Sequence, residues 1–363
     1  NEILTAVQRF CKYYPSLSYE FLCVCVSFAK VYFYRAAKGR KTMKKEKQKK
    51  LSLCLIAVVI MAAVMLPFSA LAAENSGIDV TADDYADGEG YTWDEATNTV
   101  TIYTANTLTL TDVTLTGDGT GVGIILPHGK VTVVLVGNST IQNFGQGVSQ
   151  TNAGSSEGNS LLITGSGSLA ITGCNYMSQG SFEDVTVDGA VLAGNNTNGL
   201  ILNGNFVGKN GANIDLTVKN NDSNVWNTIY ANGSIEIYDS TLKSNSGASG
   251  GIWAVGVKKD SALIKFVNSN ITLSDSGWGA QSGSVQNPNG YVYIENSTIT
   301  VNSAAGIGAV ESAEVVGDVK FITESNRQIL LAKNGDLTLD LGEGADFQGY
   351  VNNGTDTLFA TDY

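Results

Sequence analysis

Short alternating runs of apolar and polar residues recur along the chain from about residue 100 onward. The run at 292–301 reads VYIENSTITV, and similar runs occur at 134–141 (VLVGNSTI), 237–242 (IYDSTL) and 266–273 (FVNSNITL). Alternation with a period of two predicts β-strands that bury one face. The pattern therefore places Tyr293 and Glu295 outside. The residues that it places inside are Val292, Ile294, Ile299 and Val301.

A second phrase, close to Gly-Ile-x-Ala, recurs between these runs. Its copies are separated by 22 to 29 residues, with a mean of about 26, and such a period indicates a solenoid or an array. The second residue of each copy is predicted to occupy the same position in every coil. These residues are Val122, Val148, Tyr176, Leu200, Ile229, Ile252, Trp278, Ile307 and Ile329.

The content of each repeat decides between the repeat architectures. Each unit holds about three short strands and no helical pattern, which excludes leucine-rich, ankyrin and tetratricopeptide repeats, and it is too short for a propeller blade of about 40 residues. The prediction is an all-β fold, a parallel β-helix solenoid of about nine coils of roughly 26 residues. Successive coils would lie about 4.8 Å apart.

Small polar residues occupy the corner of each alternating run. Asn, Asp and Gly tolerate the left-handed conformation that a sharp bend requires, so these positions are interpreted as structural turns. In the copy between 189 and 239 the corner is blurred, and Asn220 or Asn221 is assigned to it. The other predicted corners are Asp112, Asn138, Ser166, Gly189, Asp239, Asn268 and Asn296.

The N-terminal part has the layout of a bacterial secretory signal. Residues 43–72 begin with Met43 and a lysine-rich segment, continue through the uncharged stretch Leu51–Phe68, and end in the small-residue sequence SALA. The alternative is an uncleaved membrane anchor. Residues 1–42, which lack a Met, are interpreted as a non-native leader, with a genuine additional segment as the alternative.

The remaining chain is divided by pattern. Residues 73–100 precede the regular repeats and are expected to form an N-terminal cap, with Trp93 buried in it. Residues 101–345 form the predicted parallel β-helix. Residues 346–363 still alternate, so they are assigned to a further coil or a C-terminal region, and we expect the chain to be cut short there.

The charge of the part after the signal is strongly negative. Twelve of the 22 Lys and Arg residues precede Ala73, against three of the 34 Asp and Glu residues, which leaves a formal charge of −21 on residues 73–363. Such a surface disfavours nucleic acid, anionic membranes and polyuronate as partners. Cys174 is the one cysteine in this part, so no intramolecular disulfide is available there.

The combined patterns resemble a known family. YTWDEATNTVTI at 91–102, GVGIILPHGKVTVVLVGNSTI at 121–141 and the repeated coils look like right-handed parallel β-helix repeat proteins. This broad pectate-lyase-like superfamily includes polygalacturonases and adhesin-like surface proteins of Gram-positive anaerobes. The resemblance implies the right-handed sense of the coil and a secreted or cell-surface location on a bacterium, with no membrane insertion of the mature chain.

The motifs of the catalytic relatives are largely missing. Resemblance to pectate lyases would imply a calcium-binding acidic cluster and a catalytic Arg. Arg327 is the one Arg after residue 73, and the one His is His128, in a predicted turn. Asp112 and Asp118 lie near each other without forming a recognisable calcium loop. No cofactor or metal site is therefore assigned, although calcium stays open.

Carboxylates alone could still support hydrolysis, since a glycosidase needs two of them at a set separation. The stacked coils would align Glu236, Lys265, Tyr293 and Lys320 on one outward face. If the protein is an enzyme, the candidate catalytic residues are Glu236, Glu295 and Asp239.

Binding without catalysis is the preferred reading. Outward aromatic rings on a rigid face can stack on sugars, and the candidate ligand-binding residues are Trp253, Tyr230, Tyr238 and Tyr293. Trp278 occupies the assigned Ile register and is expected to be buried. The sequence thus favours a non-enzymatic, adhesin-like β-helix module that binds a polysaccharide or host glycan. The alternative is a polysaccharide-degrading enzyme, a glycoside hydrolase or polysaccharide lyase, of the same fold.

Overall fold

The computed structural model describes residues 78–81, 91–94, 99–102, 106–151, 156–218, 227–247, 250–256, 262–275, 277–284, 288–303, 305–323, 327–334, 336–354 and 357–359. All of them lie within Glu74–Tyr363, which forms one compact unit. The predicted leader and signal, residues 1–72, lie outside the described residues, as does the side chain of Trp93. No helix among the described residues is long and apolar enough to cross a membrane.

The described chain winds into a parallel β-solenoid of about nine turns, which confirms the predicted fold class. Each turn contributes one strand to each of three faces. Face A consists of Ile78–Thr81, Thr107–Thr111, Lys130–Val136, Ser160–Gly165, Asp184–Asp188, Phe206–Lys209, Ile235–Tyr238, Leu263–Val267, Tyr291–Glu295, Ser312–Gly317 and Asp336–Leu341.

The chain passes from face A to face C and then to face B. Face C consists of Thr114–Thr116, Asn138–Gln142, Ser168–Thr172, the first part of Val191–Leu202, Asn213–Val218, Thr241–Ser246, Asn270–Leu273, Thr298–Val301, Lys320–Ile322 and Asp346–Phe347. Face B consists of Thr99–Ile102, Val122–Leu126, Gln146–Gln150, Tyr176–Gln179, the last part of Val191–Leu202, Ile229–Ala231, Gly250–Ala254, Trp278–Ser282, Ala305–Ala309, Gln328–Ala332 and Tyr350–Asn352.

Two antiparallel pairings flank the parallel stack. Tyr91–Asp94 pairs with Thr99–Ile102 in a hairpin, and Thr357–Phe359 pairs with Tyr350–Asn352. Ile78–Thr81, within the predicted cap, already pairs in parallel with Thr107–Thr111. That these N-terminal segments close the end of the core stays a prediction.

The interior is a single continuous apolar column. Val292, Ile294, Ile299 and Val301 all have 0% relative exposure, and so does Ile307. The predicted inward set is therefore confirmed. Because each coil must place its apolar side chains over those of the coil before, the same alternating phrase has to be repeated in every coil.

Left-handed residues form the corners between faces A and C, as predicted for five of the assigned positions. These are Asp112, Gly189, Asp239, Asn268 and Asn296, each with φ between 45° and 68°. At the corners assigned to Asn138 and Ser166, the left-handed residue is the preceding glycine, Gly137 or Gly165.

The blurred corner was assigned wrongly. In that coil Asn210 (φ 57°) and Gly211 (φ 81°) form the bend, and the face C strand Asn213–Val218 follows directly. Asn220 and Asn221 come after that strand, outside the described residues. The error arose because KNGAN at 209–213 lacks the apolar spacing of the other copies.

The serine of the Asn-Ser-Thr phrase has its own structural reason. Ser240 Nα–H donates to Ser269 Oγ (3.2 Å), and Ser269 Nα–H donates to Ser297 Oγ (3.0 Å). Each hydroxyl in turn donates within its own coil, for example Ser269 Oγ to the carbonyl of Val267 (2.7 Å). These buried hydroxyls link successive coils at the corner, where the backbone turns away from the sheet and its N–H groups would otherwise lack partners.

The glycine of the Gly-Ile-x-Ala phrase lies at the start of the face B strand, against the backbone of the next coil. A Cβ on Gly306 would lie 2.3 Å from the carbonyl oxygen of Ile329, and one on Gly199 would lie 2.0 Å from that of Thr228. These distances leave no room for a side chain, so glycine predominates at this position. The column, in coil order, is Gly123, Gly147, Met177, Gly199, Thr228, Gly251, Gly279, Gly306 and Ile329.

The alignment of these glycine positions corrects the predicted alignment of the Gly-Ile-x-Ala phrases in four coils. The residues that occupy the inward position after the column are Ile124, Ser178, Ala280 and Leu330, where the sequence reading placed Val122, Tyr176, Trp278 and Ile329. The local phrases GVGII and GWGAQ each offer two glycines, and only pairing with the neighbouring coils decides which one is in the column.

Candidate functional site

The structure divides the four predicted ligand-binding residues between two faces. Tyr230 and Trp253 point outward from face B, whereas Tyr238 and Tyr293 point outward from face A. All four are half-buried. The sequence reading treated them as one group, but they belong to two different surfaces.

On face B an outward row runs along the solenoid axis. Its members pair directly from one coil to the next, and they are Ile201, Tyr230, Trp253, Gln281, Gly308 and Leu331. With about 4.8 Å between strands, the six positions span about 24 Å. Ile201, Gln281, Gly308 and Leu331 were missed by sequence reasoning, although the x position of each Gly-Ile-x-Ala phrase identifies them once the column is known.

The ring of Trp253 is held in one orientation. Its indole N–H donates to the carbonyl oxygen of Gly283 (2.8 Å), and Gln281 Nε2 donates to the same oxygen (3.4 Å). Tyr230 packs edge to face against the Trp253 ring, with centroids 5.5 Å apart and an interplanar angle of 84°. Burial raises the pKa of Tyr230. The two perpendicular rings thus form an aromatic corner on the outer side of face B.

Trp278 is not in the core, and the expectation that it is buried was wrong. It pairs with Gly250 and Ala305, two residues before the inward Ala280, and its side chain is half-buried. A Cβ on Gly308 would lie only 3.0 Å from the Trp278 ring. Because Gly308 has no side chain, the indole lies across the next coil and adds a third aromatic ring to face B.

Face B differs from the other faces in charge. From Thr99–Ile102 to Tyr350–Asn352, its described strands contain no Asp, Glu, Lys, Arg or His. Face A strands carry charged residues in most coils, and face C strands carry Asp215, Lys243, Lys320 and Asp346. The charges of an acidic chain are thus segregated away from one face.

On face A the predicted charged stack forms with one change. Glu236, Lys265 and Tyr293 align in successive coils, and the next member is Glu314. Lys320, which was predicted to be in this row, lies on face C and pairs with Thr298. The reason is that the strand Ser312–Gly317 belongs to face A in that coil, so Lys320 comes after the corner.

The face A carboxylates already have protein partners. Tyr238 Oη donates to Glu236, and Tyr293 Oη donates to Glu295 Oε2 (2.9 Å). Lys265 Nζ lies 5.4 Å from the centroid of the Tyr238 ring and 5.1 Å from that of Tyr293, within cation–π range. Burial, followed by the bond to Glu236, raises the pKa of Tyr238, and the bond to Glu295 raises the pKa of Tyr293.

The three candidate catalytic residues are spread over the surface. Glu236 and Glu295 lie on face A two coils apart, because Glu236 pairs with Lys265 and Glu295 with Val267. Asp239 is the exposed left-handed corner residue that follows face A, where it accepts a hydrogen bond from Asn268 Nδ2 (3.2 Å). Glu236 and Glu295 share a face, and Asp239 stands apart from their hydrogen-bonded row.

A buried carboxyl that sequence reasoning missed lies behind face B. Asp275 is 3% exposed and accepts hydrogen bonds from Ser244 Oγ (3.3 Å to each carboxyl oxygen) and from the backbone of Ser246. It fills the space beside Gly251, where a Cβ would lie 2.3 Å from Asp275 Oδ2. Burial raises the pKa of Asp275 to about 8.

The other chemically notable residues have structural settings. Arg327 Nη1 donates to the carbonyl oxygens of Asn302 (3.0 Å) and Ser303 (2.9 Å), which ties it to the preceding coil. Cys174 is buried. Within the described part of the chain, no group of three or more His, Cys, Asp or Glu side chains is arranged to hold a metal ion.

Comparison with protein-family models, with curated proteins and with solved structures gives no match.

Proposed function

We propose that this protein is a non-enzymatic, adhesin-like module, secreted or carried on a bacterial cell surface, and that it binds glycans along face B. The observation that carries the proposal is the outward aromatic group of Tyr230, Trp253 and Trp278 on a rigid sheet. Aromatic rings fixed by packing and hydrogen bonds lose little conformational freedom on binding, which is a requirement for useful affinity from a shallow surface.

The hydrogen-bonding groups around the rings support the same function. Gln281 supplies an amide between Trp253 and Gly308 along the row, and amides donate to and accept from sugar hydroxyls. Ile201 and Leu331 extend the row with apolar surface at either end. Face A supports this function less well, because its tyrosine hydroxyls and carboxylates are hydrogen-bonded to one another.

Two tyrosines provide a matched test of the binding face. Tyr230→Ala on face B is expected to weaken glycan binding about tenfold or more, as is Trp253→Ala, because each removes part of the aromatic corner. Tyr238→Ala on face A removes the same side chain from the other surface and should leave binding unchanged. A glycan array followed by calorimetry on the bound glycans gives the affinities, and circular dichroism checks that each variant is folded.

Equal loss in Tyr238→Ala and Tyr230→Ala, or no glycan bound by the native protein, would refute the proposal. The second candidate is a polysaccharide-degrading enzyme that uses face A, and the two outward carboxylates of Glu236 and Glu295 on that face favour it. Release of reducing ends or unsaturated products from plant or host polysaccharides, abolished in Glu236→Gln or Glu295→Gln, would establish that function instead.

A further inference from the structure

The segregation of charge described above restricts the chemistry of the ligand. Residues 73–363 carry a formal charge of −21, yet the described strands of face B carry none. Charged side chains are mostly exposed in folded proteins, and here the described strands of faces A and C carry them. On face B, ten outward positions in consecutive coils include no charged residue, which distinguishes this face from the others. The ten positions are Ile125, Ser149, Gln179, Ile201, Tyr230, Trp253, Gln281, Gly308, Leu331 and Asn352.

A charged ligand would bind poorly to this row. A carboxylate or ammonium group loses hydration when it is pressed against a surface, and this loss is recovered only if an opposite charge or several good donors are present. The face B strands offer rings, alkyl groups, hydroxyls and amides. Anions are in addition repelled by the field of the whole acidic molecule.

A cation would be attracted by that field, but it would find no carboxylate on the described strands of this face to pair with. The charged pairs that the structure does form lie on the other faces, for example Lys209 Nζ with Asp188 Oδ2 (3.2 Å) and Lys243 Nζ with Asp215 Oδ2 (3.4 Å). Cationic peptides or amines are thus expected to associate with faces A and C.

We propose that face B takes an uncharged glycan chain, laid parallel to the solenoid axis across the coils from Ile201 to Leu331. This inference rests on the proposed glycan-binding function and names its ligand class. The orientation follows from the row, because the rings, the Gln281 amide and the apolar ends succeed one another along the axis and not along any single strand. The length of about 24 Å accommodates several sugar units.

The experiment compares a neutral and an anionic form of one backbone alongside unrelated glycans. Affinity gel electrophoresis of the native protein is run in gels that contain neutral β-glucan, mannan, xylan or fully methyl-esterified polygalacturonan, and in gels that contain polygalacturonate, alginate or hyaluronate. Each is measured at low and at high ionic strength. At least one neutral polysaccharide should retard the protein, equally at both ionic strengths, since no ion pair is made. The anionic polysaccharides should not retard the protein at either ionic strength.

Two variants of one residue test the role of charge on the face. Gln281→Glu places a carboxylate in the row and should weaken binding of the retained neutral glycan at least tenfold. Gln281→Met keeps the length of the side chain without a charge and should reduce the affinity for the neutral glycan less than Gln281→Glu does. Trp253→Ala serves as the reference for loss of the binding face itself.

The outcomes separate this inference from the function on which it rests. If an anionic polysaccharide retards the native protein and Trp253→Ala abolishes this retardation, the inference that the ligand is uncharged is overturned. Glycan binding by face B would then still hold. No retardation in any gel refutes glycan binding itself. Reversible dimerisation of the native protein that Trp253→Ala abolishes, seen by sedimentation, would show that a second copy occupies face B, and this also overturns the inference.

Discussion

At the scale of single residues, the outward Trp253 and the buried Asp275 lie on opposite sides of one strand. Trp253 stands on the outer side of a strand whose Gly251 is packed against the Asp275 carboxyl. Ser246 Oγ and Ser303 Oγ, both completely buried, find no hydrogen-bond partner among the residues that the structure describes. Two charged side chains on neighbouring segments already have partners. Lys243 on the adjoining strand is paired with Asp215 outside, and Arg327 binds the carbonyls of Asn302 and Ser303.

The Asp275 carboxyl makes stability depend on pH. Its pKa is raised from the ordinary 3.8 to about 8 in the folded protein, so the folded state holds a proton that the unfolded chain releases. Stability from this group is complete below about pH 4 and is lost as the pH rises towards about 8. We expect a loss of a few kcal/mol over this range.

Urea denaturation at several pH values measures this effect. Asp275→Asn, which carries no charge at any pH, should remove most of the fall in unfolding free energy between pH 4 and about pH 8. Asp118→Asn is the control, because Asp118 is exposed and its pKa is lowered by the side chain of Thr120. The same slope in the native protein and in Asp275→Asn would contradict the assignment.

At the scale of elements, the two recurrent phrases correspond to two kinds of corner. The Asn-Ser-Thr phrase supplies a left-handed bend and a serine that bonds the next coil. The Gly-Ile-x-Ala phrase supplies a glycine where faces B and C meet and then alternates inward and outward positions. The x position is therefore the outward position of the phrase, whereas its neighbours are restricted by packing in the interior.

The strand Ala305–Ala309 contains a matched pair of glycines that tests this account. Gly306→Ala forces a methyl to within 2.3 Å of the Ile329 carbonyl oxygen and should destabilise the fold by roughly 1–3 kcal/mol or more. Gly308→Ala meets only the Trp278 ring, at 3.0 Å, and the ring can shift. It should cost little stability but change tryptophan fluorescence.

Thermal unfolding and emission spectra of the two variants provide the measurements. If Gly306→Ala is as stable as the native protein, the close approach of the next coil's backbone is not what requires glycine. If Gly308→Ala leaves the emission spectrum unchanged, Trp278 does not lie across that coil.

At the scale of the whole molecule, the solenoid is a one-dimensional stack. Each coil contacts its two neighbours, so stability is approximately a sum of coil and interface contributions. Aligned positions on face A lie 21 to 30 residues apart, for example Val185 with Phe206 and Val131 with Leu161. The unequal lengths are absorbed in the turns, which leaves the three faces continuous.

Removal of one whole coil should therefore be tolerated. Leu108 is aligned with Val133, so deletion of residues 108–132 rejoins the chain in register and should preserve the β-sheet circular dichroism and glycan binding, with a lowered melting temperature. Deletion of 108–120 removes the face A and face C strands of this coil but leaves its face B strand, and it should prevent folding. Similar behaviour of the two deletions would argue against a stack of equivalent coils.

The sequence pattern alone determined the architecture, because the packing of a solenoid requires the same local alternation of apolar and polar residues in every coil. The period of about 26, the inward set around Ile294 and most of the left-handed corners follow from alternation and turn chemistry alone. The same pattern identified Tyr230, Trp253, Tyr238 and Tyr293 as outward. These inferences need only local alternation and its recurrence along the chain, and they need no pairing between strands.

Only the tertiary structure decided how the coils are registered against each other. The sequence predicted that Trp278 is inward, where the structure places Ala280, and that Lys320 follows Tyr293 on one face, where the structure places Glu314. It did not decide which of the ligand candidates share a face. Each of these questions depends on hydrogen bonds between strands more than 20 residues apart and on turn lengths that vary from coil to coil. The buried setting of Asp275 likewise arises from contact between coils, since its own neighbours in sequence read as an ordinary polar turn.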